Sequence, residues 1–293
     1  MKIEKAADLG FCFGVKRALA TLEEVARQKG GVETLGALVH NQQVMARLNG
    51  LGVKVVKDIS EITGDTVVIS SHGVGPKVLE AIRERGIGIV DTTCPFVQRA
   101  QKAAHRLAEA GFFTLIYGDV NHPEVKGILG WAEGRGLATL ASEDLENVEL
   151  SRHLGLLSQT TQVPARFIEF AKAATEKALV KDAELRIVDT VCHDIRLRQA
   201  ATLSLAARAD LMLVIGGHHS ANTRHLVELC SPLTATYLVE TADEIDPAWL
   251  EGRDLIGVTA GASTAPETIE AVVRRLEELG SIGEYQTAAY RSQ

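Results

Sequence analysis

Short uninterrupted apolar runs alternate along the chain with stretches whose apolar residues recur at helical spacing. TVVIS, FTLIY, LGLLS, LMLVI and LIGVT carry no internal polar alternation, the pattern of strands covered on both faces of a parallel sheet. IEAVVRRLEELG is the clearest of the amphipathic stretches. The alternation predicts an α/β protein with short strand-to-helix connections.

The pattern repeats three times. An apolar strand with a polar turn comes first: ETLGALVHNQQV, FTLIYGDVNHPEV and LMLVIGGHHSANT. A short strand with an acidic link follows: VKVVKDISEI, LATLASEDLENV and TYLVETADEIDP. A second strand then ends in small polar residues: TVVISSHGVGPKV, LGLLSQTTQVPAR and LIGVTAGASTAPET. Two sections close on near-identical strings, IVDTTC and IVDTVC, while the third finds its counterpart in KIEKAADLGFC at the N-terminus. Repetition at this length predicts three small parallel-sheet α/β units in pseudo-threefold arrangement around a central cluster. The expected units span 13–94, 95–191 and 192–280, with 1–12 and 281–293 as closing terminal segments. The N-terminal strand is expected to complete the third sheet.

Composition removes several classes of function. A formal net charge of −7 leaves no basic footprint for nucleic acid. No apolar run approaches a membrane span, and MKIEKAADLGFC lacks the apolar core of a signal peptide. A cytoplasmic setting is expected, in which four cysteines stay reduced, bind metal or react. The absence of CxxC argues against a zinc ribbon.

Cys12, Cys94 and Cys192 each end a strand-like run and open a helix-like stretch. Three such thiolates can hold three irons of a 4Fe-4S cubane and leave the fourth open to substrate. Cys230 has no counterpart in the repeat and reads as a buried apolar residue. Functional groups of parallel sheets gather beyond the carboxyl ends of the strands. There the first turns offer His40, Asn41, His122, Glu124, Ser220 and Asn222; the second offer His72, Ser158, Thr160, Thr161, Thr259, Ser263 and Thr264. These donors, several at helix starts, suit an anionic ligand such as a phosphate.

Other readings compete. His40, His72 and His122 form a possible three-histidine zinc set, and His218 and His219 are either pocket or loop residues. Glu124 is either a proton donor or a helix first-turn acid. Asp91 and Asp189 read as acceptors for nearby backbone donors, and Lys16 and Arg17 as a solvated face or as offsets to cluster charge.

GFCFGVKRAL, LVHNQQV, SSHGVGP, DTTCPFV, NHPEVKG, SQTT, DTVC, SANTR and TAGAST occur in the order of the LytB/IspH family, which the chain resembles over nearly its whole length. The resemblance implies an oxidoreductase, the final enzyme of non-mevalonate isoprenoid synthesis. It would act on an allylic hydroxy-diphosphate and take two electrons from a donor such as ferredoxin or flavodoxin. It implies Cys12, Cys94 and Cys192 as 4Fe-4S ligands, and His40, His72, His122, Ser220, Asn222 and Ser263 as a diphosphate clamp. Glu124 and Thr160 become the pair that delivers the proton and orients the hydroxyl. Ala221 stands where a second serine is frequent. A non-redox 4Fe-4S dehydratase of the quinolinate synthase type, or an iron-sulfur sensor or carrier, is the competing function.

Overall fold

A computed structural model describes residues 1–39, 41–147 and 152–290. The chain opens with β1 (Lys2–Lys5), α1 (Phe13–Lys29), β2 (Val32–Leu35), α2 (Gln42–Gly50), β3 (Val53–Val56), β4 (Thr66–Ile69), α3 (Pro76–Glu84) and β5 (Gly88–Asp91). It continues with α4 (Pro95–Glu109), β6 (Phe113–Tyr117), α5 (Pro123–Trp131), β7 (Gly136–Thr139), α6 (Asp144–Asn147), β8 (His153–Ser158), α7 (Pro164–Val180) and β9 (Glu184–Ile187). The remainder is α8 (His193–Ala206), β10 (Leu211–Ile215), α9 (Ala221–Cys230), β11 (Ala235–Val239), β12 (Leu255–Ala260) and α10 (Pro266–Tyr290).

Among the described residues the strands form three four-stranded parallel sheets of one design. Their orders are β3-β2-β4-β5, β7-β6-β8-β9 and β11-β10-β12-β1. Each first strand lies between its second and third, and the strand leading to a cysteine takes an edge. In the third sheet that edge is the N-terminal strand, paired from Lys2↔Leu255 to Lys5↔Val258. Helix starts follow local chemistry: Pro76, Pro95, Pro123, Pro164 and Pro266 each open a helix, where a missing N–H costs nothing and the ring presets φ.

Central strands match the apolar pattern, with every residue of β10 buried. The cysteine-leading strands β1, β5 and β9 are half-exposed, because an edge has a neighbour on one side only. The acidic links form short helical turns at Ile59–Glu61, Asp144–Asn147 and Ala242–Glu244. In the first, Asp58 Oδ1 accepts from Ser60 N at 2.9 Å, a local bond that favours turns.

The residues group into two compact units, one of Met1–Cys12, His40–Val44 and Asp194–Gln293, the other of Phe13–Val39 and Met45–His193. In the larger unit one face of the β6–β9 sheet packs on α4 and α5 through Ala104, Leu107, Ile116 and Ile128. The other packs on α7 through Leu156, Phe167 and Phe170. Each of these buried leucine, isoleucine and phenylalanine side chains contributes about 1.5–3 kcal/mol. In the smaller unit β10, β11 and β12 bury Leu213, Ile215, Val239 and Val258 with Val272 and Leu276 of α10.

Candidate functional site

The carboxyl ends of the strands repeat one hydrogen-bond pattern in all three sheets. After β2, β6 and β10 the amides of Gly36, Gly118 and Gly216 donate to Val56 O, Thr139 O and Val239 O at 2.9, 3.1 and 2.9 Å. The residue that caps the next helix accepts from that helix's first turn. Asn41 Oδ1 takes Val44 N at 2.9 Å, His122 Nδ1 takes Glu124 N at 3.2 Å, and Ser220 Oγ takes Thr223 N at 3.4 Å. Asn41, His122 and Ser220 are therefore helix caps as well as candidate ligand groups.

The cysteines repeat as strictly. Cys12 N donates to Ala262 O at 3.0 Å, Cys94 N to Ser71 O at 3.0 Å, and Cys192 N to Thr160 O at 2.9 Å. The backbone of each cysteine is thus tied to the second polar turn of its own sheet. Each also directly precedes the first residue of a helix: Phe13, Pro95 and His193. Helix N-termini lower a thiol's pKa and favour the thiolate that binds metal. Cys12 and Cys94 are half-buried and Cys192 is buried. Cys230 is fully buried in an apolar layer with Leu205 and Met212, and burial pushes its thiol up to about 12.

The residues before the cysteines hold these turns in place. Asp91 Oδ1 accepts from Thr93 N at 2.8 Å and Asp189 Oδ1 from Val191 N at 3.1 Å, which is the backbone role expected of both. Thr92 Oγ1 donates to Ile69 O, and Thr190 Oγ1 to Ser158 O. Arg17 is exposed, and its Nη1 donates to Thr93 O at 3.1 Å.

Glu124 is 2% exposed. Its carboxylate accepts from Thr160 N at 2.6 Å and from Thr160 Oγ1 at 2.8 Å, and thus leaves the start of its own helix to His122. Burial pushes the Glu124 carboxyl up to about 7, against the lowering effect of the two Thr160 bonds. The His72 and His122 rings meet edge to face, with centroids 5.3 Å apart, and Ser70 Oγ lies 3.5 Å from His72 Nδ1. One compact unit therefore brings together His72, His122, Glu124, Thr160 and the turn of Cys192.

The other unit carries Ser220, Asn222, Ser263 and Thr264. Asn222 is 5% exposed, and among the described residues neither its Oδ1 nor its Nδ2 has a hydrogen-bond partner. A buried carboxamide left in this state costs free energy that a polar ligand would return. Thr264 Oγ1 donates to Ile215 O at 3.0 Å and is structural, whereas Ser263 is half-buried. His218 faces Glu244 at 3.1 Å and His219 is exposed. His40 lies outside the described residues.

Sequence reasoning missed two groups. Gln159 is buried, and its Oε1 accepts from Asp119 N and from Gln162 Nε2, each at 3.1 Å, while its Nε2 donates to Thr161 Oγ1 at 3.1 Å. It braces the first turn against the second, and SQTT holds the signal in retrospect. Asp119 is a second carboxylate of the Glu124 turn, with Oδ1 accepting from Asn121 N at 2.9 Å.

Among the described residues no three His, Cys, Asp or Glu side chains are grouped to hold a single metal ion. Cubane ligands bind separate irons and do not need that grouping. Cys94 and Cys192 in one unit and Cys12 in the other each stand at a helix start, and thiols are the donor type that iron-sulfur clusters take.

A family model described as LytB protein matches residues 3–277. A 4-hydroxy-3-methylbut-2-enyl diphosphate reductase of Dehalococcoides mccartyi strain CBDB1 is 62% identical over 282 residues, covering 96% of this chain and 99% of the relative. Its namesake in Geobacter metallireducens is 42% identical over 282 residues, with the same coverage. A solved structure of (E)-4-hydroxy-3-methyl-but-2-enyl diphosphate reductase, the terminal enzyme of the non-mevalonate pathway, matches with TM-score 0.70 and 38% identity. It covers 94% of this chain and 99% of that one. A Plasmodium falciparum reductase structure shares the fold with TM-score 0.87 at 23% identity, over 93% of this chain and 86% of that one.

Proposed function

The chain belongs to the LytB family, and from that premise we propose that it reductively removes the hydroxyl of 4-hydroxy-3-methylbut-2-enyl diphosphate. Two electrons and two protons enter, water leaves, and isopentenyl and dimethylallyl diphosphates form. Cys12, Cys94 and Cys192 would hold a 4Fe-4S cluster, which when bound supplies electrons and a Lewis-acidic iron. A reducing cytoplasm suits four cysteines that form no disulfide.

The chain's own residues then divide the remaining work. The diphosphate binds to His40, His72, His122, Ser220, Asn222 and Ser263, and the unpartnered Asn222 carboxamide supports that assignment. The helix starts behind His122 and Ser220 add favourable dipoles for the anion. Hydroxide leaves poorly unless protonated, so a proton source must stand near the substrate hydroxyl. Glu124 holds that proton on its carboxyl, and Thr160 orients both the carboxyl and the hydroxyl.

The buried Glu124–Thr160 pair carries this reading: a carboxyl raised to about 7 retains its proton near neutral pH and can still release it. Anaerobic turnover of the hydroxylated diphosphate with reduced viologen tests it. Formation of both isoprenoid diphosphates with viologen oxidation supports the proposal; a product formed without viologen oxidation would indicate a dehydratase and overturn it.

A further inference from the structure

The first two turns of α1 and α4 carry cations where a helix prefers acids. Neither helix has an acidic residue in its first turn, yet Lys16, Arg17, Arg99 and Lys102 stand in these turns, all exposed. Cations near a helix N-terminus oppose the macrodipole, so helix stability does not explain them. Two of them reach the cysteine-bearing turns. Arg17 donates to the carbonyl of Thr93, the residue before Cys94, and Arg99 donates to the carbonyl of Asp189, three residues before Cys192.

Lys16 and Lys102 stay in solvent, with Phe13 beside Cys12 in sequence and 57% exposed. An exposed aromatic with arginines supplies residue types enriched at interface centres, and the lysines suit the polar rim around them. Lys102 also lines a cavity of about 270 Å³ with Thr93, Gln98 and Trp131. Two carboxylates stand at this edge, Asp91 engaged by Thr93 and Gln98 and Asp189 by Val191 N. Glu23 and Glu24 begin beyond this stretch of α1 and pair with Arg47 and Arg27.

We propose that the N-terminal face of α1 and α4, centred on Phe13, Lys16, Arg17, Arg99 and Lys102, docks a small acidic electron-carrier protein. This rests on the reductase reading, which requires an electron source. The balance is two one-electron deliveries: two reduced carriers are oxidised, and the substrate gains two electrons and two protons as its C–O bond breaks and water leaves. A chain with formal charge −7 repels an acidic partner elsewhere, so the local cations set both docking position and encounter rate.

The test uses full-length, iron-loaded protein and an acidic [2Fe-2S] ferredoxin as probe. The Lys16→Glu/Lys102→Glu double variant and the Phe13→Ser variant are compared with the unaltered protein in ferredoxin binding by calorimetry and in turnover driven by ferredoxin or by reduced viologen. Ferredoxin Kd and KM are expected to rise about tenfold in each variant. Viologen-driven turnover, the substrate KM and the cluster's electron paramagnetic signature should hold. Unchanged ferredoxin affinity, or equal loss of both activities, overturns the docking face. Lack of viologen turnover in the unaltered protein would overturn the reductase reading instead, because the binding measurement decides the docking face without turnover.

Discussion

Burial decides what Glu124 can do. Its carboxyl loses hydration and recovers only the two Thr160 bonds, so its pKa moves up to about 7. Glu124→Gln keeps an acceptor for Thr160 N but has no proton to give, and turnover is expected to fall about 10²–10⁴-fold while cluster absorption persists. The same shift sets a stability slope. The folded carboxyl titrates above its unfolded value, so its contribution is complete below about 4.5 and is lost as pH rises to about 7. Over that window the unaltered protein should lose about 3 kcal/mol relative to Glu124→Gln; parallel urea-unfolding curves across the window would refute this. Thr160→Val removes the hydroxyl bond that lowers the pKa, so the basic limb of the pH–rate profile should move to higher pH, with Thr160→Ser restoring it. Asp91 and Asp189 were legible in sequence because each bonds two residues along. Glu124 was ambiguous because its partner lies 36 residues away, beyond any local signal.

At the scale of elements, strand and helix order was legible because buried parallel strands and proline-led helices write themselves locally. What the pattern could not show is how tightly α5, which carries Glu124, is pressed against the turn of His72. A Cβ on Gly130 would stand 2.9 Å from Gly75 Cα, and Trp131 Nε1 donates to Val74 O at 3.0 Å. Two glycines thus let the helix approach the turn backbone to backbone. Gly73, at φ +67° within SHGVGP, turns the chain in a region that favours glycine, and a Cβ there would meet Gln101 and Thr93. Gly130→Ala is therefore expected to cost about 1–3 kcal/mol by overpacking, with kcat reduced through displacement of α5. Gly50, also helical and with nothing within 4 Å of its Cβ position, is the control. Gly50→Ala should be neutral or slightly stabilising in the same urea titration, and equal changes for both variants would show that the Gly75 contact costs Gly130→Ala nothing.

For the whole molecule, three sheets of one design put the cysteines at equivalent positions although they lie far apart in the chain. The repeat was visible in sequence through IVDTTC and IVDTVC, and β1 supplies to β12 the edge strand that KIEKAADLGFC foreshadowed. The equivalence that sequence could not display is the amide of each cysteine bonded to the second turn of its own sheet, at 3.0, 3.0 and 2.9 Å. Cys230 is the internal control, since it ends α9 in an apolar layer with its thiol pushed up to about 12. A thiol that stays protonated at neutral pH is a poor metal ligand, whereas thiols at helix starts ionise more readily. Cys12→Ser, Cys94→Ser and Cys192→Ser should each strip most iron and sulfide from anaerobically reconstituted protein. Cys230→Ala should retain the metal content of the unaltered protein and lose only the stability of a small apolar truncation. Iron and sulfide analysis with absorption spectra reads this directly. Full cluster content in any one of the three serine variants would remove that cysteine from the ligand set, and loss of cluster in Cys230→Ala with native folding would show that burial is a poor guide to ligation here.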